Sequence, residues 1–349
     1  MSNKKIIIFK NDAVGDLVHS LPAINNIISK TKNNNITLFL SERSRKFSFL
    51  IDKENIDIRF LNYDLTIIDK VKIFFYVFNS QIDEVYILTP KNFYFYLPFF
   101  FRKIDFYAIC INNINNYRRP GTFLRKYLYK YVINSRDKIL RKSTKDLQIE
   151  LSGSNNVSSS IVNFNKFLTS KDSIFKNKYI YLHFTKKKFH ELGWKFKELL
   201  SLLNELKKYK DYIYITKDNF KDEYDDIFKK NFNYYSFKSK KLIDNKKKIF
   251  FLDDVEGKDL FNVIGFSDKV VGCHGMSTNL ASLLNKQVLD LFYIKMNNYE
   301  SYLKARTSFH EFKPKYNGYD FILPKPFMNK NFKKMKFSLV KCTNLNIRV

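Results

Sequence analysis

The sequence predicts an α/β chain in which one parallel-sheet grammar runs twice. Short apolar runs alternate with helical segments, as in successive βαβ units. The alternation breaks in a small, polar stretch after residue 151 and restarts near 179. Each half also holds one strand–turn–helix junction rich in polar side chains. With 349 residues the chain can build two cores of ordinary domain size. A hydrophobic content of 45% excludes wholesale disorder.

In the first half Ile6–Phe9, Ile36–Leu40, Ile56–Phe60 and Val85–Leu88 read as strands, with helices from Asp16 and across Ile67–Phe78 between them. The helix from Asp16 carries an apolar stripe at Leu17, Leu21, Ile24 and Ile28, the spacing of a face packed on a sheet. Phe93–Phe101 (FYFYLPFFF) is the most apolar stretch, far short of the ~20 residues of a spanning helix, and suits either a core or a membrane-facing place. Arg118-Arg119-Pro120-Gly121 marks a basic turn, and Thr122 to about Arg136 reads as a Lys-rich helix. Residues 151–173, opening LSGSNNVSSS, have no periodicity and read as a linker. The expected domains are therefore 1–160 and 175–327, with a basic segment over 328–349.

The second half restarts with a strand over Tyr179–Phe184, a loop, and a helix from Trp194 with Phe196, Leu199, Leu200, Leu203 and Leu206 on one face. Tyr212–Thr216 and Ile249–Leu252 read as strands. A helix over Gly257–Phe266, a strand over Lys269–Cys273, a helix over Ser277–Leu284 and a strand over Val288–Tyr293 follow.

Composition narrows the function classes. Cys110, Cys273 and Cys342 are widely spaced and odd in number, which argues against a disulfide framework or a zinc site. The five histidines (His19, His183, His190, His274, His310) lack metal-ligand spacing, so no metal is expected. The first strand starts directly after Met1-Ser2-Asn3, so no leader and a reducing, cytoplasmic setting are expected. The formal charge of +28 has three explanations. A basic surface collects nucleic-acid phosphates, though no recognisable nucleic-acid-binding motif accompanies it. It also suits an anionic membrane face or a phosphorylated glycolipid. Or lysine is simply the common solubilising residue: 36 Phe and 23 Tyr against 9 Gly, with abundant Lys, Asn and Ile, suggest an AT-rich genome.

The two junctions carry the chemistry. In IIIFKNDAVGDLVHSLP (6–22) a strand meets a polar turn and a helix opens at Gly15-Asp16. Such a junction builds ligand sites at the carboxyl end of a parallel sheet. Asp16 there is either a general base for a bound hydroxyl or a first-turn acid favoured by the helix dipole. In DKVVGCHGMSTNLASLL (268–284) Gly272 and Gly275 flank a turn, and Ser277, Thr278 and Asn279 stand at the next helix start. That arrangement either cradles phosphate or is an ordinary helix cap.

The run Gly15-Asp16-Leu17-Val18-His19-Ser20-Leu21-Pro22-Ala23-Ile24 resembles the amino-terminal signature of the lipopolysaccharide heptosyltransferases, glycosyltransferase family 9. The resemblance implies a GT-B fold, two Rossmann-like domains facing across a cleft. It also implies inverting sugar transfer from a nucleotide-sugar donor, with Asp16 as the base and Gly15, Lys10 and His19 on the acceptor side. Val270-Val271 and Asn279-Leu280-Ala281 resemble the family's donor-diphosphate turn, but His274-Gly275-Met276 departs from its Asp-Thr-Gly. A weaker likeness covers Tyr181–Thr185 with Gly193-Trp194, where Leu192 takes the place of a lysine. Thr185, Lys186, Lys187 and Lys188 are then expected to meet the diphosphate, together with His274, Gly275, Ser277, Thr278 and Asn279. The implied partners are a nucleotide sugar, needing no further cofactor, and an anionic glycan or glycolipid acceptor, with contact at the inner membrane face. The departures leave a non-catalytic binding module with a degenerate GT-B fold as the alternative, and the charge alone leaves a basic nucleic-acid-binding α/β protein.

Overall fold

The computed structural model describes residues 4–30, 35–51, 56–112, 118–135, 142–153, 163–169, 173–176, 178–191, 194–210, 212–218, 220–244, 247–291 and 318–322. It divides into two units that part between Phe167 and Leu168, inside the 151–173 stretch. The segment 328–349, most of 151–173, Gly193, His310 and Cys342 lie outside the described residues.

Unit 1 runs β1 (Ile6–Lys10), α1 (Val14–Ser29), β2 (Ile36–Ser41), β3 (Ile56–Leu61), α2 (Ile67–Asn79), β4 (Glu84–Ile87), α3 (Leu97–Phe100), β5 (Asp105–Asn112), β6 (Arg118–Arg119), α4 (Thr122–Arg125), β7 (Lys130–Ser135) and α5 (Thr144–Leu151). The sheet order is β3-β2-β1-β4-β5-β6, with β7 also on β5. Every pair is parallel except β5 with β6. All residues of β1, β2 and β4 are buried, as parallel strands covered on both faces must be.

Unit 2 runs β8 (Tyr179–Phe184), α6 (Lys186–Glu191), α7 (Phe196–Lys207), β9 (Tyr212–Lys217), α8 (Glu223–Asn231), β10 (Asn233–Ser236), β11 (Lys241–Ile243), β12 (Ile249–Asp253), α9 (Gly257–Phe266), β13 (Lys269–Cys273), α10 (Met276–Leu283), β14 (Gln287–Leu291) and β15 (Tyr319–Ile322). Its sheet is ordered β11-β10-β12-β9-β8-β13-β14-β15 and is parallel apart from the β10–β11 hairpin.

Several expectations need correction. The Lys-rich helix over 122–136 is a single turn, α4, followed by strand β7, which extends the sheet beside β5. The loop at 185–188 is mostly helix, since α6 begins at Lys186. On α1 the buried face runs through Ile27 where the stripe pointed to Ile28, and on α7 Leu202 is buried while Leu200 is only half-buried. The FYFYLPFFF stretch is divided: Tyr94, Phe95 and Leu97 enter the core, whereas Tyr96, Phe99 and Phe100 are exposed.

The cores are aromatic. In unit 1, Phe9 at the centre of the sheet stacks on Tyr94 (4.2 Å between centroids) and Phe39 (5.2 Å). In unit 2, Phe228 packs among Phe184, Phe232 and Phe251. Because Phe9 is fully buried and touches two rings, Phe9→Ala should destabilise unit 1 by about 3–5 kcal/mol. Urea denaturation should show that loss, and an unchanged midpoint would contradict the packing described.

Candidate functional site

In each sheet the chain order reverses at the first strand, and the unit 2 sheet switches again where β12 lies between β9 and β10. In unit 1 the reversal falls between β1 and β4, in unit 2 between β8 and β13. Where order reverses, the connections leave toward opposite faces and open a crevice outside the carboxyl ends of the two strands. Both polar junctions of the sequence lie at these two points.

At the unit 1 reversal, Lys10 ends β1 with a side chain only 3% exposed, and its ammonium pairs with Asp12 at 2.7 Å. From the far side of the reversal, Thr89 Oγ1 donates to the same Asp12 oxygen at 2.8 Å. Burial would raise the Asp12 carboxyl, but the Lys10 charge and the hydrogen bonds from Lys10 and Thr89 outweigh it and hold the group below its ordinary value. Fully buried Asn11 accepts from the Tyr94 hydroxyl (2.7 Å) and donates to the Asn62 carbonyl (3.2 Å). Lys91 Nζ donates to the Asn11 carbonyl (3.1 Å) and to the Tyr63 carbonyl. Desolvation lowers the Lys91 ammonium, helped by the neighbouring Lys10 and Arg43 charges.

Asp16 stands half-buried in the first turn of α1, a helix whose N-cap residue, Ala13, supplies no capping side chain. The Tyr63 hydroxyl is raised first by burial and then by the charges of Asp12 and Asp16, so both carboxylates act on one mouth. Arg43 lies 4.2 Å over the Tyr63 ring. Gly15 shares this turn. Lys10 has its charge neutralised inside the unit, and His19 is buried in the body of α1.

At the unit 2 reversal, Lys188 from α6 donates its ammonium to the His274 carbonyl, bridging the elements that follow β8 and β13. A Cβ on Gly275 would stand 3.2 Å from Lys188 Nζ, and one on Gly272 would stand 3.3 Å from the His183 carbonyl oxygen. The glycines thus allow both close approaches. His274 Nδ1 meets Asp290 Oδ2 at 2.6 Å, with Asp290 fully buried on β14. Thr278 Oγ1 is committed to the backbone of Gly275, accepting from its N–H and donating to its carbonyl, both at 3.1 Å. Its side chain therefore closes the turn. The Asn279 N–H donates to the Gly275 carbonyl (3.0 Å), while its buried side-chain oxygen meets no donor among the described residues. The N–H groups of Met276, Ser277 and Thr278 have no partner within the helix, as at any helix start.

Of the other expected donor-side residues, Lys186 is drawn to Glu223 on the surface (2.6 Å), and Thr185 carries the carbonyl that accepts the Phe189 N–H. The structure thus gathers Lys188, His274, Gly275, Ser277, Thr278 and Asn279, and leaves Lys186 in a surface ion pair. Sequence reading missed Asp12, Thr89, Lys91 and Tyr63 in unit 1, and Asp290 in unit 2. A lone carboxylate in the apolar strand QVLDL was the available signal for the last.

No protein-family model and no curated protein matches the chain. Solved structures do. The glycosyl transferase family 9 protein from Veillonella parvula aligns over 83% of this chain and 80% of its own, at 12% identity and TM-score 0.56. The chain shares the heptosyltransferase fold. The Escherichia coli heptosyltransferase WaaC, solved with ADP-2-deoxy-2-fluoro heptose, aligns over 84% of this chain and 90% of its own, at 14% identity and TM-score 0.56. A UDP-N-acetylglucosamine 2-epimerase aligns over 86% and 80%, at 11% identity and TM-score 0.50. The architecture is the GT-B type that residues 15–24 implied.

Removing the Asp12 charge leaves Lys10 buried without its partner, so Asp12→Asn should cost about 3–5 kcal/mol at neutral pH. Because the folded carboxyl lies below its unfolded value of about 3.9, the pair's contribution is complete above that pH. It fades as pH falls through the folded value. The gap between wild type and variant in urea midpoints should therefore hold from pH 7 to 5 and close below about pH 4. A gap that widens on acidification would refute the assignment.

Proposed function

We propose that the chain is an inverting glycosyltransferase that moves a sugar from a nucleotide-diphosphate donor to an anionic cell-envelope glycan. The observation that carries this reading is the unit 2 reversal. There Lys188, His274 and the α10 start converge on one turn, with glycine permitting close backbone approach. A cation and unpartnered helix N–H groups suit a diphosphate. In the proposed reaction Asp16 takes the proton of the acceptor hydroxyl as its oxygen attacks the anomeric carbon. The bond from that carbon to the phosphate oxygen breaks on the opposite face, and its electron pair leaves with the nucleoside diphosphate. Preorganised donors at the turn meet that charge as it develops. The reading asks for no metal and no cofactor beyond the donor itself.

His274 stands where the family pattern has an aspartate. Asp290 fixes the imidazole through Nδ1, so Nε2 is the nitrogen that would meet the donor. A donor sugar bearing an acceptor group such as a carboxylate suits an imidazole better than the family's carboxylate would.

Thermal-shift screening against nucleoside diphosphates and nucleotide sugars, followed by transfer assays, tests the reading. Asp16→Asn should keep donor binding and lose roughly 10²-fold or more in transfer, the scale of a missing general base. Near-wild-type turnover would remove Asp16 from the mechanism, and donor binding without transfer in the wild type would favour the non-catalytic module. Lys188→Gln should weaken nucleoside diphosphate affinity at least about tenfold, since a hydrogen bond to a charged group is worth about 1.5–3 kcal/mol. Unchanged affinity would move the donor away from the β13–α10 turn.

A further inference from the structure

Helix α2 is apolar on both sides. Ile73 and Val77 are buried in unit 1, while Ile67, Ile68, Val71, Phe75 and Phe78 face outward with exposures from 48% to 78%. A surface helix ordinarily turns polar side chains to water. The exposed face continues beyond α2. Phe75 touches Phe74, Phe74 touches Phe100, and Phe100 touches Phe99. Phe99 in turn meets Phe123 and Tyr127 beside α4.

Cations lie on these same rings. Arg102 stands over Phe99 (5.8 Å) and Tyr127 (5.3 Å), and Lys126 over Phe123 (4.3 Å) and Tyr127 (5.1 Å). Lys72 is exposed on α2 itself. Acid is missing from the segments that build the face: across 65–82, 91–104 and 118–135 the sequence holds one carboxylate, Asp69. That residue is buried and committed to the α2 capping box, accepting from the Thr66 N–H (3.0 Å) and from Asn62 (2.9 Å).

We propose that this face seats unit 1 on an anionic lipid bilayer, with the rings and aliphatic side chains at headgroup depth and Arg102, Lys126 and Lys72 on lipid phosphates. Aromatic rings bearing cations combine the two requirements of an interfacial site, apolar burial and attraction to negative lipid. With 13 residues α2 is about 20 Å long, so it lies along the surface. No helix among the described residues is long and apolar enough to cross a membrane. A second copy of the chain is a poorer occupant, because it would bring two basic surfaces together whose carboxylates, Asp64, Asp83 and Asp105, stand only at the borders of these segments. The inference needs neither Asp16 nor the donor turn, and so stands or falls apart from the proposed transferase.

Co-sedimentation of the full chain with vesicles tests it, comparing mixed phosphatidylglycerol and phosphatidylcholine with phosphatidylcholine alone. Binding should appear on the anionic vesicles and weaken with salt. Phe75→Ser with Phe100→Ser should reduce it at least about tenfold, because two exposed rings lose their burial. Arg102→Gln with Lys126→Gln should reduce it about fivefold per charge. Both variants should melt within a few degrees of wild type, since the changed side chains are exposed. Equal binding to neutral vesicles, or full binding by the Phe variant, would overturn the proposal. So would a wild type that ignores vesicles but forms dimers that the Phe variant abolishes in sedimentation velocity.

Discussion

A parallel strand covered on both faces admits a charge only where a partner meets it, and this constraint orders both units. In β1, β2 and β4 every position is buried. Lys10, at the end of β1, is already too deep to reach water, and Asp12 beyond it supplies the counter-charge. That pair in turn holds Thr89 across the reversal and fixes the turn from which α1 starts. Unit 2 answers the same constraint differently. Asp290 sits inside β14 with no exposure, and His274 at the end of the neighbouring strand meets it. In both units a charge that burial forbids to stand alone selects a partner at the strand ends, and the partner sets the mouth of the crevice.

What was legible in the sequence follows from distance along the chain. The β1–α1 and β13–α10 junctions are continuous, so strand, turn and helix could be read in one pass, as could the cooperating residues from Gly275 to Asn279. The contacts that give the crevices their electrostatics are not continuous. Asp12 and Thr89 are 77 residues apart, and Lys188 and His274 are 86 apart. No local period records such pairs. Strand β7 was misread because its alternation is weak: Tyr131 and Ile133 are apolar yet face water, so the expected polar-out pattern is missing. The α1 and α7 stripes hold at Leu17, Leu21, Ile24, Leu199, Leu203 and Leu206 but leave out Ile27 and Leu202, since burial is broader than a single stripe.

The distribution of charge is also uneven in a way composition hides. If lysine were only the common solubilising residue, its partners would be scattered alike over every surface. Elsewhere the cations find carboxylates: in unit 1 Arg45 pairs with Glu42, Arg59 with Asp57 and Lys142 with Glu150, and in unit 2 Lys186 pairs with Glu223, Lys208 with Glu205, Lys210 with Asp268, Lys217 with Asp225 and Lys229 with Asp253. Across 65–82, 91–104 and 118–135 the same mean composition leaves Asp69 as the one acid, and that acid is committed inside a helix cap. The cations there lie on aromatic rings instead. Attraction to a ring is weaker and less directional than a hydrogen-bonded ion pair, and it keeps the ammonium or guanidinium head exposed for a second partner. Those three segments set ten cations against one acid, a net +9 of the +28, where apolar surface is also unburied. Segregation of that kind is a property of a surface rather than of a genome's codon usage.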